Sequence, residues 1–132
     1  MEILVTHRIR DRELDGGIAD EARKLFAKLK QAPAIATPLP AKGLPSHTSL
    51  HKVYATTGRG PRRLLFFCRH TPSKPGEPER WVLLFYRDKS DSVGKNMSHK
   101  NPDFARQLNT RLREALTDLA ESTPEAPKYE II

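Results

Sequence analysis

Two uninterrupted runs of apolar residues, 64–68 (LLFFC) and 81–85 (WVLLF), constrain the fold of this chain more than any other feature. Both are rich in aromatic and aliphatic side chains, which is typical of short buried strands, and arginines lie within two residues of each end. A strand with one solvated face would alternate apolar and polar residues, and these runs do not alternate. We therefore expect two central strands. Either the protein covers both of their faces, or helices cover one face and a partner covers the other.

Further strands are predicted by apolar residues that recur with a period of two. Ile3, Val5 and Ile9 alternate with polar residues and predict a first strand over roughly residues 2–9. A β-rich segment at about 51–56 is joined to the first apolar run by a glycine-containing turn, which is the pattern of a β-hairpin.

Two helices are predicted by apolar residues at helical spacing. The first is an amphipathic helix from about residue 18 to 31, with lysines and arginines on its outer face. The second covers about 102–121, where Asn101 is suited to the cap and Pro102 to the first helical position.

These elements predict a single α+β domain over residues 1–121, in the order β-α-β-β-β-α. We expect a two-layer architecture, with a mainly antiparallel sheet and helices packed on one side. The proline-rich stretches 33–45 and 70–79 are expected to be an extended connector and a loop. Residues 122–132 are expected to form a flexible tail, although 129–132 could add a short edge strand.

The distribution of charge points to the class of partner. No aspartate or glutamate occurs from Ala22 to Gly76, yet this stretch carries eleven of the 23 lysines and arginines. The rest of the chain has the other twelve basic residues and all 16 acidic ones. Such segregation is typical of a surface that neutralises phosphates. The alternative is that scattered lysines, within a net charge of +7, keep a small protein in solution.

Several functional classes lack support in the sequence. No stretch reaches the roughly 18 apolar residues that a membrane-spanning helix needs, and the N-terminus does not resemble a signal peptide. Cys68 is the single cysteine and fits a small core residue of a cytoplasmic protein. We expect no metal or other cofactor, because His47 and His51 have no acidic residue near them in the sequence. No nucleophile elbow of a serine hydrolase occurs.

A resemblance to a known family rests on four short segments: KVY at 52–54, RRLLFF at 62–67, VLLF at 82–85 and YRDK at 86–89. Over roughly residues 18–95, their pattern of apolar and basic positions resembles the RelE/ParE toxin superfamily of toxin–antitoxin systems. The resemblance implies a RelE-like sheet that carries a basic groove. Many members of that family cut messenger RNA on the ribosome, and an acidic antitoxin would cover the groove.

Cleavage of RNA through its own 2′-hydroxyl needs a base, a cation for the phosphate and an acid for the leaving oxygen. The resemblance implies that Lys52, Arg63, Arg87 and Lys89 bind and polarise the phosphate, and that Lys52 could also transfer protons. His51 and His99 are the candidates for proton transfer, since an unperturbed histidine has a pKa of about 6.5. Further nucleic-acid contacts are predicted for His51, Arg59, Arg62, Arg69, Tyr86, Lys95 and Lys100.

Some of these residues have a structural interpretation as well. Tyr86 could stack on a base, or it could complete the core. The polar segment 87–100 could form an anion site together with the free amides at the start of the following helix. Alternatively, Asp88 and Asp91 could pair with Lys89 and Lys95.

Three functional hypotheses follow from the sequence. The first is a RelE-like toxin or toxin homologue that acts as a metal-free endoribonuclease on ribosome-bound message. The second is a non-catalytic domain that binds nucleic acid, RNA rather than DNA, with the same basic face. The third is a protein-interaction domain whose basic face binds an acidic protein.

Overall fold

The computed structural model describes residues 1–70, 76 and 78–132. The strands are β1 (Glu2–Thr6), β2 (Thr37–Leu39), β3 (Thr48–Thr57), β4 (Gly60–Arg69), β5 (Arg80–Asp88) and β6 (Tyr129–Ile131). The helices are α1 (His7–Glu13), α2 (Asp20–Gln31) and α3 (Pro102–Glu121), and a 3-10 turn covers Pro33–Ile35. Most of the predicted 70–79 loop lies outside the described residues.

The six strands form one open sheet in the order β2-β3-β4-β5-β1-β6. Within the described part of the chain, β1 pairs with β5 in parallel, and the other neighbouring strands are antiparallel. The predicted α+β class, with a mainly antiparallel sheet and helices packed against it, is confirmed.

Both faces of the central strands are buried by the protein itself, which was one of the two possibilities left open by the apolar runs. Successive β4 side chains point to opposite faces. Leu64 and Phe66 pack into a core with Phe26 of α2. Leu65 and Phe67 pack into a second core with Phe104 of α3. The helices therefore lie on both sides of the sheet, whereas the sequence pattern placed them on one.

The predicted first strand is too long, because the chain leaves the sheet at Thr6 and enters α1. The Thr6 side-chain oxygen accepts a hydrogen bond from the backbone N–H of Ile9 at 3.2 Å, which caps the new helix. Ile9 is still buried, as the strand interpretation required. Since Ile9 follows Val5 by four residues, it fits the period of a helix as well as that of a strand.

The second long helix begins and ends where the sequence predicts. The Asn101 side chain accepts a hydrogen bond from the Asp103 N–H at 3.2 Å, and Pro102 occupies the first turn. Phe104, Leu108 and Ala115 are its buried apolar residues. No helix in the described ranges has the combination of length and apolarity needed to cross a bilayer.

Both edges of the sheet are short strands in proline-containing segments. The connector expected at 33–45 is not entirely irregular, because β2 pairs with β3 from Thr37↔Lys52 to Leu39↔Leu50. At the other edge, the tail returns as β6 and pairs with β1, for example Val5↔Glu130. The edge strand proposed for the tail is thus present.

One glycine is required by a close approach of two backbone segments. A Cβ at Gly94 would overlap the carbonyl oxygen of Asp88 at the end of β5. Replacing it by alanine would displace the turn that follows β5. Gly58, in the β3–β4 turn, has no atom within 4 Å of such a Cβ and no positive φ.

We expect Gly94→Ala to lower the free energy of unfolding by about 2–3 kcal/mol, in the range of an overpacked site. Urea denaturation followed by circular dichroism measures this difference. The matched control Gly58→Ala should change stability by less than about 0.5 kcal/mol. Equal losses in the two variants would show that the Gly94 contact is not the cause.

Candidate nucleic-acid interface

The α3 side of the sheet carries three of the residues predicted to bind the phosphate, namely Lys52, Arg63 and Arg87. On β3, Val53 belongs to the core beneath α2, so the side chains of Lys52 and Tyr54 point to the opposite face. Arg63 on β4 lies directly opposite Tyr54, and Arg87 on β5 lies directly opposite Arg63. The register of three antiparallel strands therefore brings together cations from separate parts of the chain, as the sequence predicts.

An exposed aromatic side chain stands at the centre of these cations. Tyr54 is 53% exposed, the Arg63 Cζ lies 4.1 Å from the centroid of its ring, and the Lys52 Nζ lies 5.6 Å from it. Lys89 follows β5 and lines a shallow hollow of about 240 Å³ together with Tyr54 and Arg63. We call Lys52, Tyr54, Arg63 and Lys89 the Tyr54 surface.

The acidic residues nearest in sequence to this surface are engaged by arginines. Asp88 pairs with Arg62 at 3.0 Å, and Asp91 pairs with Arg87 at 3.0 Å. The interpretation in which these two acids pair with lysines of the same loop is therefore wrong. Within the described ranges, no carboxylate lies within 4.0 Å of a cation of the Tyr54 surface.

The guanidinium of Arg87 is already bound within the protein. It donates to both carboxylate oxygens of Glu13, at 2.7 and 2.9 Å, and to Asp91 and Gln107 at 3.0 and 2.9 Å. Burial acts to lower the pKa of Arg87, but the hydrogen bonds and charge of Glu13 outweigh it and raise the pKa. Arg87 therefore stays charged and has little donor capacity left for a phosphate.

The buried position of Glu13 explains why Arg87 is bound within the protein. Its side chain is 0% exposed and also accepts hydrogen bonds from the Tyr86 backbone N–H at 2.9 Å and from Arg111 at 3.4 Å. Because β1 ends at Thr6, no strand among the described residues pairs with the edge of β5 beyond it. The last residue of α1 supplies the missing acceptor for the β5 backbone.

Three further predicted residues, Arg59, Arg62 and Tyr86, line a different cavity of about 340 Å³ on the α2 side, together with acidic side chains. The hydroxyl of Tyr86 donates to Glu21 at 3.0 Å, and burial together with Glu21 raises the pKa of Tyr86 to about 12. Its ring is buried and packs edge-on against Phe26. Tyr86 therefore completes the core rather than presenting a face to a base.

Neither predicted proton-transfer histidine belongs to the Tyr54 surface. His51 points to the α2 side and stacks on Trp81, with ring centroids 5.1 Å apart. Burial, and then the nearby His70, lower the pKa of His51. His99 lies on the α3 side, where its Nε2–H donates to the Pro40 carbonyl at 3.0 Å.

The remaining predicted contacts are dispersed. Arg69 shares the face of Arg63 but lies at the other end of β4, about 20 Å away at roughly 3.3 Å per residue. Lys95 and Lys100 are exposed in the loop before α3. At the start of α3, Asn101 accepts a hydrogen bond from one of the amides proposed for an anion site.

Tyr54 is the surface residue that sequence reasoning missed as a site residue. The strand pattern does indicate its position, because side chains alternate between the two faces of a sheet. If Val53 is in the core, Lys52 and Tyr54 must both lie on the opposite face. Choosing between Tyr54 and Tyr86 required knowing which tyrosine the helices cover.

No protein-family model matches the chain, and searches of curated proteins and of solved structures found no match either. The resemblance to the RelE/ParE superfamily therefore stays a prediction.

The two arginines that face each other across β4 and β5 should respond differently to truncation. We expect Arg87→Ala to lower the free energy of unfolding by about 3–5 kcal/mol, because Glu13 would be left buried without its main partner. Arg63→Ala should cost less than about 1 kcal/mol, since it removes an exposed cation–π contact. Urea denaturation of both variants tests this, and similar losses would disprove the distinction.

Proposed function

We propose that the Tyr54 surface binds single-stranded RNA. The observation that carries the proposal is a half-exposed tyrosine ring with the Arg63 guanidinium 4.1 Å from its centroid and further cations beside it. Aromatic side chains in a basic groove are the common means of binding single strands, since each base has a face that can stack. Stacking contributes about 1–3 kcal/mol per base.

The class of nucleic acid follows from what Tyr54 requires. A base can stack on an exposed ring only when it is not already stacked within a duplex, so a single strand is favoured over a double helix. The preference for RNA over DNA rests on the resemblance to the RelE/ParE superfamily. A cytoplasmic location, where message is available, belongs to the same proposal.

The cations of the surface would contact phosphates on either side of the stacked base. Within the described part of the chain, Lys52, Arg63 and Lys89 form no ion pair, so binding a phosphate does not require breaking one. Each phosphate neutralised on a single strand releases counterions and adds roughly 0.7 to the slope of log affinity against log salt.

Fluorescence anisotropy with a short, unstructured, dye-labelled RNA tests the proposal. We expect Tyr54→Ala to weaken binding by about tenfold, the equivalent of one lost stacking contact, and Tyr54→Phe to retain most of the affinity. Lys52→Gln and Lys89→Gln should each reduce the salt slope by about 0.7, whereas Lys30→Gln, on the exposed face of α2, should not.

Two results would overturn this proposal. One is unchanged affinity in Tyr54→Ala. The other is the absence of RNA binding by the wild-type protein at low salt, which would instead favour an acidic protein as the partner of the basic face.

Cleavage of the bound RNA is a second candidate function. It is favoured by the convergence of several uncompensated cations, because cations placed around one phosphate stabilise the charge of its transition state. The histidines lie elsewhere, so proton transfer would fall to Lys52, the residue to which the family resemblance gives that role. In this toxin interpretation the substrate is ribosome-bound message, and an acidic antitoxin would cover the Tyr54 surface.

Incubating the same RNA with the protein in the presence of a chelator tests cleavage. Cleavage through the 2′-hydroxyl should give a 2′,3′-cyclic phosphate and should fail on a 2′-deoxy substrate. Arg63→Ala should slow it by about 100-fold or more, whereas Arg106→Ala, at an exposed position of α3, should not. RNA that is bound but remains intact would rule out cleavage and leave the binding proposal standing.

A further inference from the structure

A second cavity lies on the α3 side of the sheet, at the opposite end of β4 from the Tyr54 surface. Its volume is about 320 Å³, near the lower limit of small-molecule sites. Apolar side chains of the sheet and of the C-terminal half of α3 make up most of its lining: Leu4, Phe67, Val82, Leu116, Leu119 and Tyr129.

Two arginines stand side by side in the wall of this cavity. Arg69 on β4 and Arg80 on β5 are directly opposite each other in the antiparallel register, and both line the cavity. Like charges in directly opposed positions destabilise a sheet. The pair therefore needs a neighbouring negative charge.

The same strands carry a second arginine pair, which shows how the protein neutralises such an arrangement. Arg63 and Arg87 are also directly opposed, and there Glu13 and Asp91 bind the guanidinium of Arg87. One arginine of that pair is thus neutralised by the buried carboxylate of Glu13 and the partly exposed carboxylate of Asp91. Among the described residues, no carboxylate forms a hydrogen bond with either arginine at the other end of the ladder.

The charges of Arg69 and Arg80 are poorly compensated within the described ranges. The nearest carboxylate oxygen to the Arg80 Nε is that of Glu2 at 3.7 Å, which is beyond hydrogen-bonding distance. The same Nε is buried and has no hydrogen-bond partner in the part of the chain that the structure describes. Arg69 is exposed and forms no ion pair with a described residue.

We propose that this cavity binds a small apolar carboxylate, with its charged end between Arg69 and Arg80 and its hydrocarbon part against the apolar lining. Guanidinium groups match carboxylates in geometry and form strong, charge-assisted hydrogen bonds with them. The apolar wall supplies the remaining binding free energy by burying the hydrocarbon. A free phosphate would leave that wall unused, and a cationic amphiphile would be repelled. This inference is independent of RNA binding.

Octanoate is a suitable probe, titrated into the isotope-labelled full chain and followed by methyl NMR. We expect saturable shifts of the Leu4, Val82 and Leu119 methyl groups, and none at Leu25 on the α2 side. Octyltrimethylammonium has the same tail with a positive head group, and inorganic phosphate has the charge without the tail. Neither should produce these shifts.

Variants separate the role of the arginine pair from general hydrophobic binding. Arg80→Gln and Arg69→Gln should each weaken octanoate binding by about tenfold or more, as expected for a lost charged hydrogen bond. Arg113→Gln, at an exposed position of α3, is the matched control and should bind as the wild type does. If Arg80→Gln does not fold, the exposed Arg69 still provides the test.

The proposal is overturned by no binding of octanoate to the wild-type chain, by equal binding of octyltrimethylammonium, or by unchanged affinity in both arginine variants. Binding of phosphate as tight as that of octanoate would also overturn it, because the apolar lining would then contribute nothing.

Discussion

The carboxylate of Glu13 is completely buried and joins α1 to β5 and α3 through Arg87, Arg111 and the backbone N–H of Tyr86. Removing charges from water is costly, and such a group is tolerated only when its oxygens are fully hydrogen-bonded. Here both oxygens are used. Beyond the end of β1, where no described strand pairs with β5, this network takes the place of one, so the position of α1 and the end of the sheet depend on it.

The same interaction decides which cations face solvent. Arg63 and Arg87 are opposed on β4 and β5, and Glu13 draws Arg87 into the protein while Arg63 remains beside Tyr54. At the far end of the same two strands, Arg69 and Arg80 repeat the pairing beside an apolar cavity. Two different cationic surfaces therefore follow from one ladder, one with an exposed aromatic ring and one with an apolar wall.

The helices and strands that the sequence predicts well are those whose apolar pattern fits only one kind of element. The strands from β3 to β5 and helix α3 were predicted close to their observed limits, because continuous apolar runs and a capped apolar stripe each fit one kind of element. Helix α1 was missed because Ile9 fits both periods. Of the predicted site, the convergence of Lys52, Arg63 and Lys89 is observed, whereas the engagement of Arg87 was not predictable from its own segment. Its partner Glu13 is 74 residues away in sequence.

The sequence by itself determined that two apolar strands would be buried and that the central part of the chain would carry an excess of cations. It also determined that Lys52, Arg63 and Arg87 would lie near one another if those strands paired. Only the tertiary structure decided which tyrosine is exposed, which arginines are neutralised and which face each histidine takes. Hydrogen bonds and ion pairs act over a few ångströms of space, and those distances depend on strand register and helix packing rather than on separation along the chain.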